Sequence, residues 1–495
     1  MNTEHPKGFL AGCEAEALHL SGAIQAHGAM VVSRNDQITH VSQNLLDWLK
    51  PDMQLAPGQA LPPMLQELAV QVDAAPGSRR RWCAAWDGPR GALDLVAIRA
   101  PDECLIWELW PASSSQRMDQ EPSLSRESVS LGRAAPENAA ELELLRSRLV
   151  NAVARLSGHA RVMYYLFRED GDGEVVAEAR LDESVYGSYL GLRFPASDIP
   201  MVARNLYLRN PWRLIPDAQA PAVPLVGLGN TPPDLTPSDL RSVSPVHLIY
   251  LANMGVRASL SLPISVGGQL VALVAAHHPQ PRMLPLDTLE ILARWARSHS
   301  LALTSYQSAQ RMRLIDGLDR RFEPVRQMLG SHTEWAEIWP QWGPWLMQQW
   351  DVDGVSLCID DACVSVGVAL DGDALHQVDD WFCHHQSDSV WFCDSLTRTL
   401  PVLPLTPVAG VLALRVSIHT GQRLRLYLCR SEYIHSVTWG GQPNKPVEQL
   451  SNAVSIAPRR SFERWIEKRL GYCRGWDHEA RLLALRLREL LVRSL

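Results

Sequence analysis

What the 495-residue chain lacks narrows its class before any motif is read. No stretch approaches the ~18 consecutive apolar residues of a membrane span. No Lys/Arg block exceeds a few residues and the formal net charge is -7, which argues against nucleic acid as a partner. There is no P-loop and no glycine-rich ATP-binding box of a kinase, so the chain is not expected to be an enzyme, and any output catalysis belongs to a separate domain. Nine cysteines are scattered and odd in number, so reduced thiols in a cytoplasm are expected rather than a disulfide framework. Leu10-Ala11-Gly12-Cys13 has the look of a lipoprotein cleavage box. Met1 to Gly8 is polar and contains Pro6, however, so the apolar h-region a lipid anchor requires is missing.

The composition present, 46% apolar and 20% charged, is that of globular domains, and the length is too great for one ordinary core. After an N-terminal segment (1–21), residues 22–115 mix short apolar runs with turn signals such as Pro57-Gly58 and Asp87-Gly88, as an α+β domain does. Residues 116–137, rich in Ser, Arg, Glu and Pro, read as a linker. A second domain is expected over 138–305, a third over 325–480, and an amphipathic helix (Leu483, Leu487, Leu490) over 481–495.

Two patterns are sharp. From Ala258 to Ile264, apolar Ala258, Leu260, Leu262 and Ile264 alternate with Ser259, Ser261 and Pro263, predicting a strand with one greasy and one hydroxyl face. The serines fit a solvated surface and a polar pocket wall equally well. Gly267-Gly268 predicts a hairpin turn, with the returning strand ending in His277-His278. Between Pro285 and Pro324 no proline intervenes, and Leu289, Leu292, Ala296, His299, Leu303 and Tyr306 recur at helical steps. One long helix, roughly 50 Å, is expected there, connecting domains across 286–330, with His299 as a packing residue.

Candidate chemistry begins with Cys13 in the stretch Cys13-Glu14-Ala15-Glu16-Ala17-Leu18-His19-Leu20-Ser21-Gly22-Ala23-Ile24-Gln25-Ala26-His27-Gly28. A thiol can add to a vinyl group and form a stable thioether. In Phe194-Pro195-Ala196-Ser197-Asp198-Ile199-Pro200, the simplest role for Asp198 is a helix N-cap with Pro200 in the first turn. Tyr207, Arg213 and Arg241 follow, then Ser244-Pro245-Val246-His247-Leu248-Ile249-Tyr250-Leu251-Ala252-Asn253-Met254-Gly255, and finally His277-His278. Trp381-Phe382-Cys383-His384-His385 and Trp391-Phe392-Cys393-Asp394 look like a repeated Cys/His site, but their spacing is no known zinc pattern, so no metal is expected.

Taken together these segments resemble the bacteriophytochromes, the biliverdin-binding phytochromes, in order and across essentially the whole chain. Trp439-Gly440-Gly441 and Pro458-Arg459-Arg460-Ser461-Phe462 match the paired signatures of that family's tongue, placed here at about 431–465. The resemblance implies an α+β protein of three domains, PAS, GAF and PHY. Each would be a mainly antiparallel sheet flanked by helices, joined by a helical spine, with the N-terminal segment threaded through the GAF domain as a knot around Ile24. It implies biliverdin IXα linked as a thioether to Cys13. Arg213 and Arg241 would clamp the propionates, helped by Ser259 and Ser261. The Asp198 carbonyl and His247 would hold the ring nitrogens and a pyrrole water. His277 would donate to the ring D carbonyl, with Tyr165, Phe194, Tyr207 and Tyr250 shaping the space around ring D and Ile199, Pro200 and Ser244 completing the wall. Z/E isomerisation at C15=C16 would then be relayed from Asp198 to Arg459 and Ser461 in the tongue. Trp439, Gly440, Gly441, Pro458 and Phe462 frame that relay.

Other implied features are a homodimer along the spine, a histidine kinase, response regulator or other effector as output, and a cytoplasmic location. Ser21, where the family often has Pro, and Val271-Ala272, where Trp-Gly is more usual, depart from the pattern without removing a ligand. The rival reading is a GAF-type small-ligand module without light sensing, which would need neither Cys13 nor the tongue signatures.

Overall fold

The computed structural model describes residues 16–50, 55–89, 91–112, 135–183, 185–229, 231–331, 335–417, 422–443 and 462–494. Cys13, Pro458, Arg459 and Ser461 lie outside the described residues. Two compact units are present, Met1–Tyr306 with Thr438–Trp465 and Gln307–Val437 with Ile466–Leu495.

The first unit begins with strands β1 (Ala23–Ile24), β2 (Ala29–Arg34) and β3 (Gln37–Ser42), helix α1 (Pro63–Ala69), and strands β4 (Arg79–Gly88), β5 (Gly91–Arg99) and β6 (Leu105–Pro111). Helix α2 (Ala139–Ser157) follows, then β7 (Arg161–Phe167), β8 (Gly173–Arg180), β9 (Arg193–Phe194), α3 (Met201–Tyr207), β10 (Arg213–Ile215), β11 (Val223–Gly227), α4 (Pro245–Asn253), β12 (Ala258–Val266), β13 (Gln269–His278) and α5 (Leu286–Ser331), whose residues from Gln307 on belong to the second unit. One sheet has the order β1-β11-β3-β2-β6-β5-β4, so a strand from residues 223–227 completes a sheet otherwise built before residue 112. The other runs β10-β12-β13-β7-β8-β9 and gains β19 (His435–Gly440), where Trp439 lies parallel and opposite to Arg193.

Local chemistry sets the helix ends. Asn138 caps α2 by accepting the Glu141 N–H at 3.0 Å, and Gly158 closes it in the left-handed region at φ 64°. On α5, Leu289, Leu292, Ala296, His299 and Leu303 are buried as the helical stripe predicts, with Tyr306 packed against the same core. His299 faces Tyr164 Oη at 3.1 Å, a packing role. The helix does not stop at Pro324. It runs through it for 46 residues, about 69 Å at the α-helical rise.

In the second unit, α6 (Trp335–Trp350), β14 (Gly354–Ile359), β15 (Ala362–Gly367), α7 (Gly372–His385), β16 (Val390–Cys393), α8 (Leu396–Thr399), β17 (Val408–Ser417), β18 (Arg423–Ser431) and α9 (His478–Ser494) surround a sheet of order β15-β14-β18-β17-β16. Leu483, Leu487 and Leu490 of α9 are buried against it, beside Trp342 and Trp350. The repeated Trp-Phe-Cys runs serve packing: Trp381 of α7 lies against Trp391 of β16, and Phe382 is in the core. The expectation of reduced thiols needs correction at one pair. Cys358 and Cys363 face each other across the β14–β15 hairpin, Cα atoms 4.1 Å apart, and form a disulfide. Cross-strand pairing across a tight turn brings the two sulfurs together, which the five-residue spacing alone does not reveal.

Candidate functional site

The alternating strand predicted from sequence resolves into two different faces. Leu260, Leu262 and Ile264 are buried in the core beneath α2 and α5, whereas Ser259 and Ser261 point into a cavity. The serines therefore form a pocket wall. Register extends this face across the sheet. One row runs Arg213–Ser261–Ala275–Met163, and the next Ile215–Ser259–His277–Arg161. Gly267 and Gly268, both at positive φ, make the turn that holds β12 and β13 in this alignment.

Over this floor lie α3, α4 and the turn Ala196–Asp198, which bring Phe194, Asp198, Ile199, Pro200, Tyr207, Ser244, His247 and Tyr250 to the same cavity, with Tyr165 from β7. The structure thus gathers Tyr165, Phe194, Asp198, Ile199, Pro200, Tyr207, Arg213, Arg241, Ser244, His247, Tyr250, Ser259, Ser261 and His277 around one space. Asp198 is not a helix cap: Pro200 occupies the N-cap of α3, which has no side-chain cap. The Asp198 carboxylate instead accepts the Tyr250 hydroxyl at 2.9 Å. Tyr207 Oη donates weakly to Ser261 Oγ at 3.4 Å, and Ser244 Oγ donates to Glu16 Oε2 at 3.0 Å.

The electrostatics of this cavity are one-sided. Arg213 spends its donors on the carbonyls of Asp239, Arg241 and Ser242, at 3.3, 2.6 and 2.9 Å. Arg241, 6% exposed, donates to the Leu18 carbonyl at 3.1 Å, and its Nε has no partner. Among the described residues neither guanidinium has a carboxylate at ion-pair distance. Burial, then the neighbouring Arg213, brings Arg241 down to about 9. Burial, followed by Arg213, lowers His247 to about 4, and burial followed by Arg161 holds His277 well below the usual imidazole range. Two unpaired cations and two neutral imidazoles against aromatic walls suit an elongated, mostly apolar ligand carrying negative charge at one end.

The tongue signatures enter this neighbourhood. A Cβ on Gly440 would meet the Phe194 ring at 2.5 Å, so any side chain there would have to displace that ring. Gly441 adopts φ 97°, Trp439 is buried, and the Phe462 ring meets Tyr250 edge-on, centroids 5.1 Å apart. Sequence reasoning missed Arg161, which sits behind His277, and Glu16 as the acceptor for Ser244. Both contacts join residues more than a hundred positions apart, and no local spacing signals them.

A family model for the phytochrome region matches residues 323–495, one for the GAF domain residues 141–303, and one for a PAS fold residues 13–112. A bacteriophytochrome of Xanthomonas campestris pv. campestris is 31% identical over 495 residues, covering 94% of this chain and 75% of its own length. The chain belongs to the phytochrome family. Other phytochromes agree: the Pseudomonas aeruginosa bacteriophytochrome is 30% identical over 97% of the chain, and cyanobacterial phytochrome B of a Nostoc species 29% over 98%. This phytochrome chain spans 66% of the length of each of those two relatives, just under two thirds. The crystal structure of bacteriophytochrome RpBphP3 from R. palustris superposes with a TM-score of 0.80 at 28% identity, covering 98% of this chain and 99% of that one. The Stigmatella aurantiaca phytochrome photosensory core module gives 0.79 at 27% identity, covering 97% of each chain. The architecture is therefore a bacteriophytochrome-type PAS-GAF-PHY photosensory module. Among the described residues, no helix is long and apolar enough to cross a membrane.

Proposed function

We propose that this chain is a red/far-red photoreceptor that binds biliverdin IXα in the cavity described above, linked through Cys13. The observation that carries this reading is the pair of guanidiniums at the cavity wall, Arg213 half-buried and Arg241 buried, which have no carboxylate at ion-pair distance among the described residues. A ligand with two propionates supplies the missing anions, and Ser259 and Ser261 add hydrogen bonds. When bound, the tetrapyrrole supplies light absorption and Z/E isomerisation at C15=C16. The Asp198 carbonyl and the neutral His247 are suited to accept from ring nitrogens and to hold a water. His277 offers a donor on the same face, while Tyr165, Phe194, Tyr207 and Tyr250 exclude water and bound the volume in which a ring can turn.

The signal route is the Asp198–Tyr250–Phe462 contact. Asp198 pairs with Arg459 in one state and Ser461 in the other, and the tongue changes conformation with that exchange, a two-state element biased by the pocket. A homodimer along α5 is supported by exposed Leu301, Met312 and Ile315 on that helix. The output, a histidine kinase, response regulator or other effector, acts beyond this module, in keeping with a cytoplasmic signalling protein.

The test is co-production with a biliverdin source. A green-blue protein that interconverts reversibly between red- and far-red-absorbing forms is expected, and a colourless one favours the small-ligand module. Cys13→Ser should still take up pigment but lose it on denaturation. A denatured wild type with no zinc-fluorescent adduct would remove the thioether. Unchanged photoconversion in Asp198→Ala and Arg459→Ala would remove the relay.

A further inference from the structure

Arg161 lies outside the cavity lining and is the most enclosed arginine among the described residues of the first unit, 1% exposed. It begins β7 directly across the ladder from His277, whose other cross-strand neighbour is Ser259. One terminal nitrogen of the guanidinium lies 3.2 Å from His277 Nδ1, and the other donates to the Gly187 carbonyl at 3.2 Å. Tyr189 and Tyr186 stand over the guanidinium carbon, their ring centroids 3.8 and 4.4 Å away, which fixes its plane. Among the described residues no carboxylate pairs with it.

A guanidinium has donors only and stays protonated. A ring nitrogen facing it at hydrogen-bond distance must therefore be the acceptor. We propose that Arg161 is a positioning residue that locks His277 in its neutral tautomer, with Nδ1 bare and the proton on Nε2, so that the cavity is offered a hydrogen-bond donor without an added charge. The acceptor's identity, the carbonyl of a terminal pyrrole ring, rests on the biliverdin reading. The tautomer itself does not. Among the described residues, the other titratable or charged groups that act on His277 are His159 and His247, both held neutral by burial, so neither competes for the ring proton. Without Arg161, the imidazole would be free to place its proton on either nitrogen or to take a second one.

The test uses the whole chain with ¹⁵N-labelled histidine, without and with biliverdin, and His277→Gln to assign the signals. One protonated and one bare ring nitrogen, assigned Nε2–H and Nδ1, are expected for His277 between pH of about 6 and about 8. A wild-type Nδ1–H or doubly protonated ring overturns the lock without recourse to any variant. Arg161→Met should give mixed tautomers or titration within that window, and Arg161→Lys should restore the single form. A wild-type pattern in Arg161→Met also overturns it. In pigment-loaded protein, Arg161→Met should shift the red absorption band, and add no further shift in a His277→Gln background. An equal shift in that background means Arg161 acts by another route, which again defeats the proposal. If the chain takes up no biliverdin while the tautomer pattern holds, the pigment reading fails and the lock stands.

Discussion

Two charge clusters in the first unit differ in one respect. In the first, Glu108 of β6 is fully enclosed yet accepts from Ser238 Oγ at 2.6 Å, the N–H groups of Asp239 and Leu240 at 2.9 and 3.2 Å, and Trp110 Nε1 at 3.0 Å. Arg79 pairs with Asp239 beside it and stacks on Trp212. In the second, Arg213 and Arg241 meet only carbonyls among the described residues. The clusters are adjacent, because residues 238–241 belong to both: Arg213 donates to the Asp239 carbonyl that the Glu108 network holds in place. A network in which a buried carboxylate is met by four donors holds the backbone still. One left open on a cavity wall is held for something that arrives later.

Glu108→Ala gives the largest expected effect. It orphans four buried donors, each worth about 1–3 kcal/mol when unsatisfied, and should lower the unfolding midpoint of the pigment-free protein by many degrees in near-UV circular dichroism. Arg241→Leu should behave oppositely. Biliverdin titrations should show about 10–100-fold weaker binding, the value of a charged hydrogen bond, while the pigment-free midpoint stays level or rises because an unpaired buried cation is gone. If Arg241→Leu destabilises the pigment-free chain as much as Glu108→Ala, the two clusters are not different in kind.

The pH dependence sharpens the comparison further. Burial, aided by Asp239, raises the Glu108 carboxyl to about 6 from an ordinary 4.5. Between those values the folded chain holds the proton more tightly than the unfolded one, so stability is greatest below about 4.5 and falls as pH rises through 6, by at most about 2 kcal/mol. Wild type should therefore lose stability relative to Glu108→Gln across that window in urea titrations. A flat difference would mean the carboxyl titrates alike in both states. The smallest effect is expected from Tyr164→Phe, on the sheet face away from the cavity. It removes the His299 contact at 3.1 Å, costs about 1 kcal/mol, and should leave biliverdin titrations unchanged.

How much of this was legible beforehand depends on the range of each interaction. The hydroxyl-faced strand, the Gly267-Gly268 turn and the α5 stripe are local periodicities, and each stands in the structure as read. The cavity residues were legible only because several motifs matched one family at once; singly, Asp198 looked like a helix cap. Arg161 heads the apolar run Val162-Met163-Tyr164-Tyr165, and its partner lies 116 residues on, so nothing nearby marks it. Glu108 likewise sits within an otherwise apolar strand and, Trp110 apart, finds its donors 130 to 132 residues later. Cys358 and Cys363 were close in sequence, but only strand register makes them partners.

The placement of β11 has a consequence for synthesis. The edge of β3 acquires its neighbour only when residues 225–227 pair with residues 40–42, and β1 closes onto residues 223–224 of the same late strand. A chain emerging from the ribosome therefore carries a half-finished first sheet, one ladder of its N–H and C=O groups open, until residues 112–222 have been made. Such an edge invites intermolecular pairing. Translation pauses or truncations between residues 115 and 220 should thus yield aggregates rather than an independently soluble first domain.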